Sequence, residues 1–277
     1  AEAILAGGGG VRAVRTAEGD IECRSAVICT GGLSYPGTGS TGDGYRLAAE
    51  LGHMVTPTRP SLVPLESPDG FCREMQGLAL KNVRLTAFED GREIFSELGE
   101  MLFTHFGVSG PLVLSASAHM RGFPGKKYRL SIDLKPALDA EKLDERVLRD
   151  FGKNKNREFR NALSELAPHA LIPVLVERSG IAPETRVNSV TREQRRALVS
   201  LMKDFTISIS GTRPVAEAIV TAGGVSTREV DPRSMQSRLA PGLYFAGEVL
   251  DLDAYTGGFN LQIAWSTAYV AANSLRS

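Results

Sequence analysis

The chain's 277 residues are enough for two compact domains, and 42% hydrophobic with 23% charged residues is an ordinary globular balance. Lys plus Arg and Asp plus Glu both number 32, so no overall basic field argues for nucleic acid or an anionic membrane as partner. Cys23, Cys29 and Cys72 form no C-x-x-C pair, which argues against a disulfide framework or a zinc site and fits a reducing cytoplasm. No apolar run is long enough to span a bilayer, and no signal peptide leads the chain. The opening Ala1-Glu-Ala-Ile-Leu-Ala has no initiator Met and reads as the middle of a domain, so a fragment or a processed form is expected.

Gly7–Gly10 tempts a dinucleotide-loop reading, but a hairpin pattern around Glu18-Gly19-Asp20 follows instead of a helix, so a flexible turn is expected. Ala26-Val-Ile-Cys-Thr30 lacks alternation and predicts a strand buried on both faces, Cys29 included. After it come a Gly/Ser/Thr loop, a helix from Asp43 (its N-cap) to Leu51 stopped by Gly52, and His53 as a cap of that helix. Three prolines in Val55–Pro64 predict an extended linker and a domain boundary. Strands are expected at Leu80–Phe88, Glu93–Glu97 and Tyr128–Leu134, with a helix over Leu112–Met120. A helical stretch then runs from Glu141 to Lys203. Strands return at Thr206–Ser210, Ala218–Thr221, Arg228–Val230 and Leu243–Ala246. The basic run Arg146, Arg149, Lys153, Lys155, Arg157 and Arg160 reads as a solvated helical face.

Two stretches carry candidate chemistry. Thr30-Gly31-Gly32 through Gly44 has the strand–loop–helix context in which glycines let a ligand approach the backbone and hydroxyls hold phosphate or ribityl oxygens. A long surface loop made of turn residues explains it equally well. Gly247-Glu248 ends the strand Leu243–Ala246, where a carboxylate accepts hydrogen bonds from ligand hydroxyls or simply caps a helix; the following Gly-Gly-Phe-Asn loop favours the ligand. Of the four histidines none has metal-ligand spacing, so no metal is expected. His105, in a Gly- and hydroxyl-rich loop, reads as a pocket-lining or a structural residue.

Taken together, Thr30–Tyr45, Pro60–Leu65, Gly99–Pro111, Thr221–Val225, Gly242–Asp251 and Thr256–Gln262 resemble the HI0933-like flavoproteins, also described as BaiN-like or aminoacetone-oxidase-like FAD/NAD(P)-dependent oxidoreductases. The resemblance implies an α/β fold. A Rossmann-like FAD-binding domain, here incomplete, is interrupted by an insert with a β-barrel-like part and a helical part. Its boundaries would be 1–59 and 211–277 for the FAD domain and 60–210 for the insert, β-rich over about 60–135 and helical over about 136–205. It also implies that Thr30, Gly31, Gly32, Tyr35, Thr38, Gly39, Ser40 and Thr41 lie near the cofactor. Gly247, Glu248, Gly257, Gly258, Phe259, Asn260 and Leu261 would hold the ribityl chain and flavin ring. Departures are the missing strand–GxGxxG–helix unit, Asp253-Ala254-Tyr255 beside the flavin loop, and Ala268 and Ala272 at positions where the family often has Gly.

The function expected on this basis is an FAD-dependent oxidoreductase in which NAD(P)H reduces the flavin and the flavin reduces a small organic substrate or oxygen. No nucleic acid or membrane partner is expected, and no catalytic side chain can be named. Asn260 and the amides of Gly258 and Phe259 are the candidates for stabilising reduced flavin. A truncated, non-catalytic flavin- or nucleotide-binding module is the alternative. An RNA-modifying flavoprotein ranks third because the charge is balanced.

Overall fold

The computed structural model describes residues 1–275. The chain forms two compact units, one from Ala1–Val63 with Arg213–Ser277 and the other from Pro64–Thr212. In the first, β1 (Ala3–Gly7), β2 (Gly10–Thr16) and β3 (Gly19–Glu22) form an antiparallel meander. Gly7 faces Gly10 across the first turn, and Arg15 grips Asp20 with two hydrogen bonds across the second. The tetraglycine is therefore a hairpin turn. Next come β4 (Ala26–Ile28), α1 (Asp43–Glu50) and β5 (Val55–Ser61).

The second unit opens with β6 (Leu65–Glu66) and a single turn of helix, α2 (Phe71–Glu74). The long hairpin β7 (Ala79–Glu89) and β8 (Arg92–Thr104) follows, then β9 (Gly107–Ser109), α3 (Pro111–Ser117) and β10 (Tyr128–Asp133). A helical lobe of α4 (Ala140–Lys153), α5 (Phe159–Ala162), α6 (Ile172–Ser179) and α7 (Arg192–Lys203) leads to β11 (Phe205–Ile209) and β12 (Gly211–Thr212). The seven strands pair antiparallel in the order β11-β10-β7-β8-β9-β6-β12. Only Ser210 separates β11 from β12, and its amide donates to the Glu66 carbonyl at 2.9 Å. One continuous run thus supplies both end strands, which brings the two ends of the sheet together as in a barrel. Period-2 alternation on β10 and β7 sends Leu85, Ala87, Leu130 and Ile132 inward, where Phe103, Phe205 and Ile207 are equally buried.

The helical lobe shares this core through Leu143, Val147, Phe159, Leu175 and Leu198. Thr191 opens α7 with a capping box, its hydroxyl accepting from the Gln194 amide while the Gln194 side chain accepts from the Thr191 amide. Lys203, at the far end, ties the lobe to the barrel by donating to Asp133 Oδ2 (2.6 Å) and to the carbonyls of Lys135 and Leu138.

The chain then returns to the first unit with β13 (Val220–Val225), β14 (Leu243–Phe245) and α8 (Phe259–Ser274). β13 pairs antiparallel with β5, and β14 pairs parallel with β4.

Several sequence expectations change. Val55–Ser61, the greater part of the expected linker, is a strand, and the division between the two units falls just after it, between Val63 and Pro64. The strand's prolines are tolerated because β5 has one ladder partner, so nothing on the other side asks for the missing N–H. β4 is shorter than expected and only Ile28 in it is buried; Cys29 lies beyond its end and is exposed. Gly42, at φ 87°, is the N-cap of α1, and Asp43 is the first helical residue, where its carboxylate accepts from Thr41 Oγ1. Arg228–Val230 begins in a short 3-10 turn over Thr227–Glu229 and not in a strand.

Leu130 is fully buried between Ala87 and Ile207 on the neighbouring strands. Leu130→Ala should cost about 2–5 kcal/mol, measured as a lowered denaturant midpoint with an unchanged m-value.

Candidate functional site

The parallel pair β4–β14 places two loops at adjacent strand ends. Thr30-Gly31-Gly32 follows β4, and Gly247-Glu248 follows β14 as a 3-10 turn. A buried threonine that sequence reasoning did not single out joins them. Thr221, the second residue of β13, is fully buried. Its Oγ1 accepts from the amides of Leu33 (2.8 Å) and Ser34 (3.1 Å) and shares a 3.0 Å hydrogen bond with Ser34 Oγ. The Thr221 amide donates to Glu248 Oε1 at 2.8 Å. Glu248 Oε2 has no hydrogen-bond partner among the described residues. One carboxylate oxygen therefore holds the scaffold while the other keeps its acceptor capacity.

Gly32 is explained by this junction. A methyl there would overlap Thr221 Oγ1 and lie 2.5 Å from Glu248 Oε1. Gly31 has φ +74°, and a methyl there would lie 2.5 Å from Ser40 Oγ, so the loop's far limb folds back against its start. In between, Tyr35 is left-handed (φ 48°), and its carbonyl accepts from both the amide and the hydroxyl of Thr38. Gly39 and Thr41 lie in the exposed part of the loop and Ser40 is half-buried.

The second wall is the start of α8. Gly257 and Gly258 both have positive φ (110° and 90°), and Gly258 is an N-cap without a side-chain hydrogen bond. The first amides of this four-and-a-half-turn helix, those of Phe259, Asn260 and Leu261, therefore have no side-chain cap and present the positive end of the dipole. Asn260 does not aim its amide group outward. Its Oδ1 accepts from the Ala254 amide (2.9 Å) and its Nδ2 donates to the Ala254 carbonyl (2.8 Å), which fixes the loop before the helix. Its side chain thus staples the loop to the helix start. Asp253 is fixed by Ser61 Oγ at 2.7 Å, and the Gly247 amide donates to Thr267 Oγ1 at 3.0 Å, tying the Glu248 turn to α8. On the opposite side of α8, Leu261, Trp265 and Tyr269 recur at i, i+4, i+8 and are exposed.

His53 does not cap α1. The helix ends by backbone alone, with the Gly52 and His53 amides donating to the carbonyls of Ala49 and Ala48. The imidazole is buried edge-on against Phe245, with Nδ1 3.1 Å from Glu229 Oε2 and Nε2 2.8 Å from Ser237 Oγ. Ser237 Oγ already accepts from the amides of Leu239 and Ala240, so its own hydrogen goes to Nε2. The ring is then neutral and donates from Nδ1 to Glu229. Burial pulls the His53 pKa below its usual 6.5, with Glu229 opposing. His105, by contrast, is exposed at the turn between β8 and β9, edge-on to Phe106. No group of His, Cys, Asp and Glu able to hold a metal occurs among the described residues.

The donor set fits a flavin: uncapped backbone amides suit an electron-rich ring edge, and a half-free carboxylate and a serine hydroxyl suit a polyol chain.

Gly32→Ala should destabilise by about 1–3 kcal/mol through overlap with Thr221. Gly37→Ala, where a methyl meets nothing within 4 Å, should stay within about 0.5 kcal/mol. Thermal unfolding compares the two. His53 also makes stability pH-dependent. The unfolded chain takes up a proton near pH 6.5 that the folded site resists, so stability is full above that pH and falls as pH drops below it. His119, whose pKa burial also lowers, adds with the same sign. His53→Gln should therefore flatten, without abolishing, the acid-side loss seen in denaturant midpoints taken across pH 6.5.

Residues 59–220 match the family described as "HI0933-like protein barrel and H2TH domain". The chain is 37% identical over 255 residues to a ribosomal RNA dihydrouridine synthase of Escherichia coli K12 and 34% identical over 256 residues to one of Haemophilus influenzae. Each match covers 92% of this chain. It is 33% identical over 251 residues, 90% of the chain, to a 3-dehydro-bile acid delta(4,6)-reductase of Clostridium scindens. The chain spans 61% of the length of each of these relatives. All three are enzymes, in agreement with the expected oxidoreductase. The expectation of a small organic substrate or oxygen and of no nucleic-acid partner is overturned, because the two synthases act on ribosomal RNA. The error came from using net charge, which averages over the whole chain and reports nothing about local basic surface. With a family match over more than half its length, the chain belongs to the HI0933-like family.

Proposed function

We infer that this protein is a flavin-dependent oxidoreductase that reduces uridine to dihydrouridine in ribosomal RNA. The observation that carries this reading is the similarity, over 92% of the chain, to two ribosomal RNA dihydrouridine synthases. Because the chain spans 61% of those relatives, the activity is assigned to the protein as a whole. FAD is the proposed cofactor, NADH or NADPH the proposed donor and the cytoplasm, where ribosomal RNA lies, the proposed location. The parallel β4–β14 pair is taken as part of a Rossmann-like sheet, in which ligands sit at strand C-terminal ends.

When bound, the flavin supplies hydride-transfer chemistry. Conversion of uridine to dihydrouridine adds a hydride and a proton across the C5–C6 double bond of the base. Thr30, Gly31 and Gly32, with Tyr35, Thr38, Gly39, Ser40 and Thr41, would line the polyol and phosphate portion. Gly247 and Glu248 would hold a hydroxyl through Oε2. Gly257, Gly258, Phe259, Asn260 and Leu261 would set helix amides against the electron-rich edge of the ring, a dipole contribution of about 0.3–1 kcal/mol in an exposed setting. Asn260 serves by ordering the loop at Ala254.

Nucleoside mass spectrometry of ribosomal RNA from cells with and without the gene tests the reading. Dihydrouridine should be present with the gene, absent without it, and restored when the gene is returned. Identical dihydrouridine content in both strains would refute it.

A further inference from the structure

The basic run of the helical lobe remains outside the cofactor site. It begins at the end of α4, where Asp150 is nearly buried (side chain 3% exposed) and is faced by Arg146 at 3.5 Å and by Arg149 and Lys153 at 4.0 Å. One carboxylate among three cations leaves local positive charge uncompensated. The chain then runs Lys153-Asn-Lys155-Asn-Arg157, with all three basic residues exposed. A tight turn closes it, the Arg157 amide donating to the Asn154 carbonyl at 2.8 Å.

A second segment lies alongside. The Val187 amide donates to the Arg157 carbonyl (3.1 Å), the Phe159 amide to the Thr185 carbonyl (2.8 Å), and Glu158 faces Arg186 in an antiparallel bridge. Exposed Arg186 is thereby brought beside a loop nearly thirty residues earlier in sequence. Among the described residues, Lys155, Arg157 and Arg186 have no carboxylate within ion-pair distance. The neighbouring acids are engaged, Glu158 by Arg160 at 2.8 Å and Asp150 as above. Cations on an exposed surface and unneutralised suit a phosphodiester backbone; Asn154 Nδ2 is taken up by the Asp150 carbonyl at 3.0 Å, and the exposed Asn156 amide is the one available to sugar and base edges.

We propose that the 153–157 loop together with Arg186 is a docking surface for the RNA phosphate backbone. This rests on the ribosomal RNA reading and adds where the substrate is gripped outside the catalytic centre. The patch is held by backbone hydrogen bonds, with the Arg157 amide on the Asn154 carbonyl and the Val187 amide on the Arg157 carbonyl, so its backbone frame does not depend on the charged tips of Lys155, Arg157 and Arg186.

The test measures binding of a fluorescent ribosomal RNA fragment by the full chain as a function of salt, for the wild type and two triple variants. One carries Lys153→Gln, Lys155→Gln and Arg157→Gln. The other removes equal charge from exposed positions on the barrel, with Lys81→Gln, Arg84→Gln and Lys127→Gln. Unfolding curves check that each variant folds. The loop variant should bind about tenfold or more weaker at low salt, with the slope of log K against log salt shallower by about 2; the barrel variant should bind nearly as the wild type. Equal weakening by both triples would mean diffuse attraction and would overturn the proposal. A loop variant with wild-type affinity and slope would overturn it too, while RNA binding by the wild type leaves the RNA reading standing. Wild-type protein that ignores the RNA but binds phosphatidylserine vesicles would defeat both.

Discussion

Thr221 contributes its amide and its hydroxyl to two different segments, and the candidate site depends on that division. The amide holds Glu248, 27 residues away, and the hydroxyl holds Leu33 and Ser34, nearly two hundred residues away. All of this happens at a side chain with no solvent exposure, where each hydrogen bond left unmade costs about 1–3 kcal/mol. The loops after β4 and β14 cannot drift apart without breaking it. The glycine at position 32 follows as a packing consequence, because the two oxygens leave no room for a side chain.

The same economy recurs around the start of α8. Asn260 secures the loop before the helix, Thr267 secures the turn carrying Glu248, and Ser61 secures Asp253. Side chains fix the frame, and the backbone amides at the helix start are left as the groups able to meet an anionic ligand. Such a site is pre-ordered, so a bound group need not wait for loop closure to find its donors.

The parts of this architecture carried by local pattern were readable from the residues. The strands expected at Leu80–Phe88 and Tyr128–Leu134 are β7 and β10, the helix expected over Leu112–Met120 overlaps α3, and the hairpin around Gly19 followed from its turn residues. What depended on distant partners was not. Nothing in Val55–Pro64 announces β13 as its mate, and no local rule distinguishes a capping His53 from one buried between Glu229 and Ser237. Thr221 stood inside a recognised run but reads as an ordinary β-branched strand residue until Glu248 is seen beneath its amide. The substrate was misread because a net charge of zero was set against nucleic acid and the basic run over 146–160 was taken as a solvated helical face.

The claim that Thr221 organises a flavin site is tested most directly by titrating FAD against the protein and its Thr221→Val and Thr221→Ser forms, following quenching of flavin fluorescence. With circular dichroism unchanged, Thr221→Val should weaken FAD binding by about tenfold or more, the equivalent of one to two lost hydrogen bonds, while Thr221→Ser, which keeps the hydroxyl, should bind close to wild type. A correctly folded Thr221→Val protein that binds FAD with wild-type affinity would contradict the account.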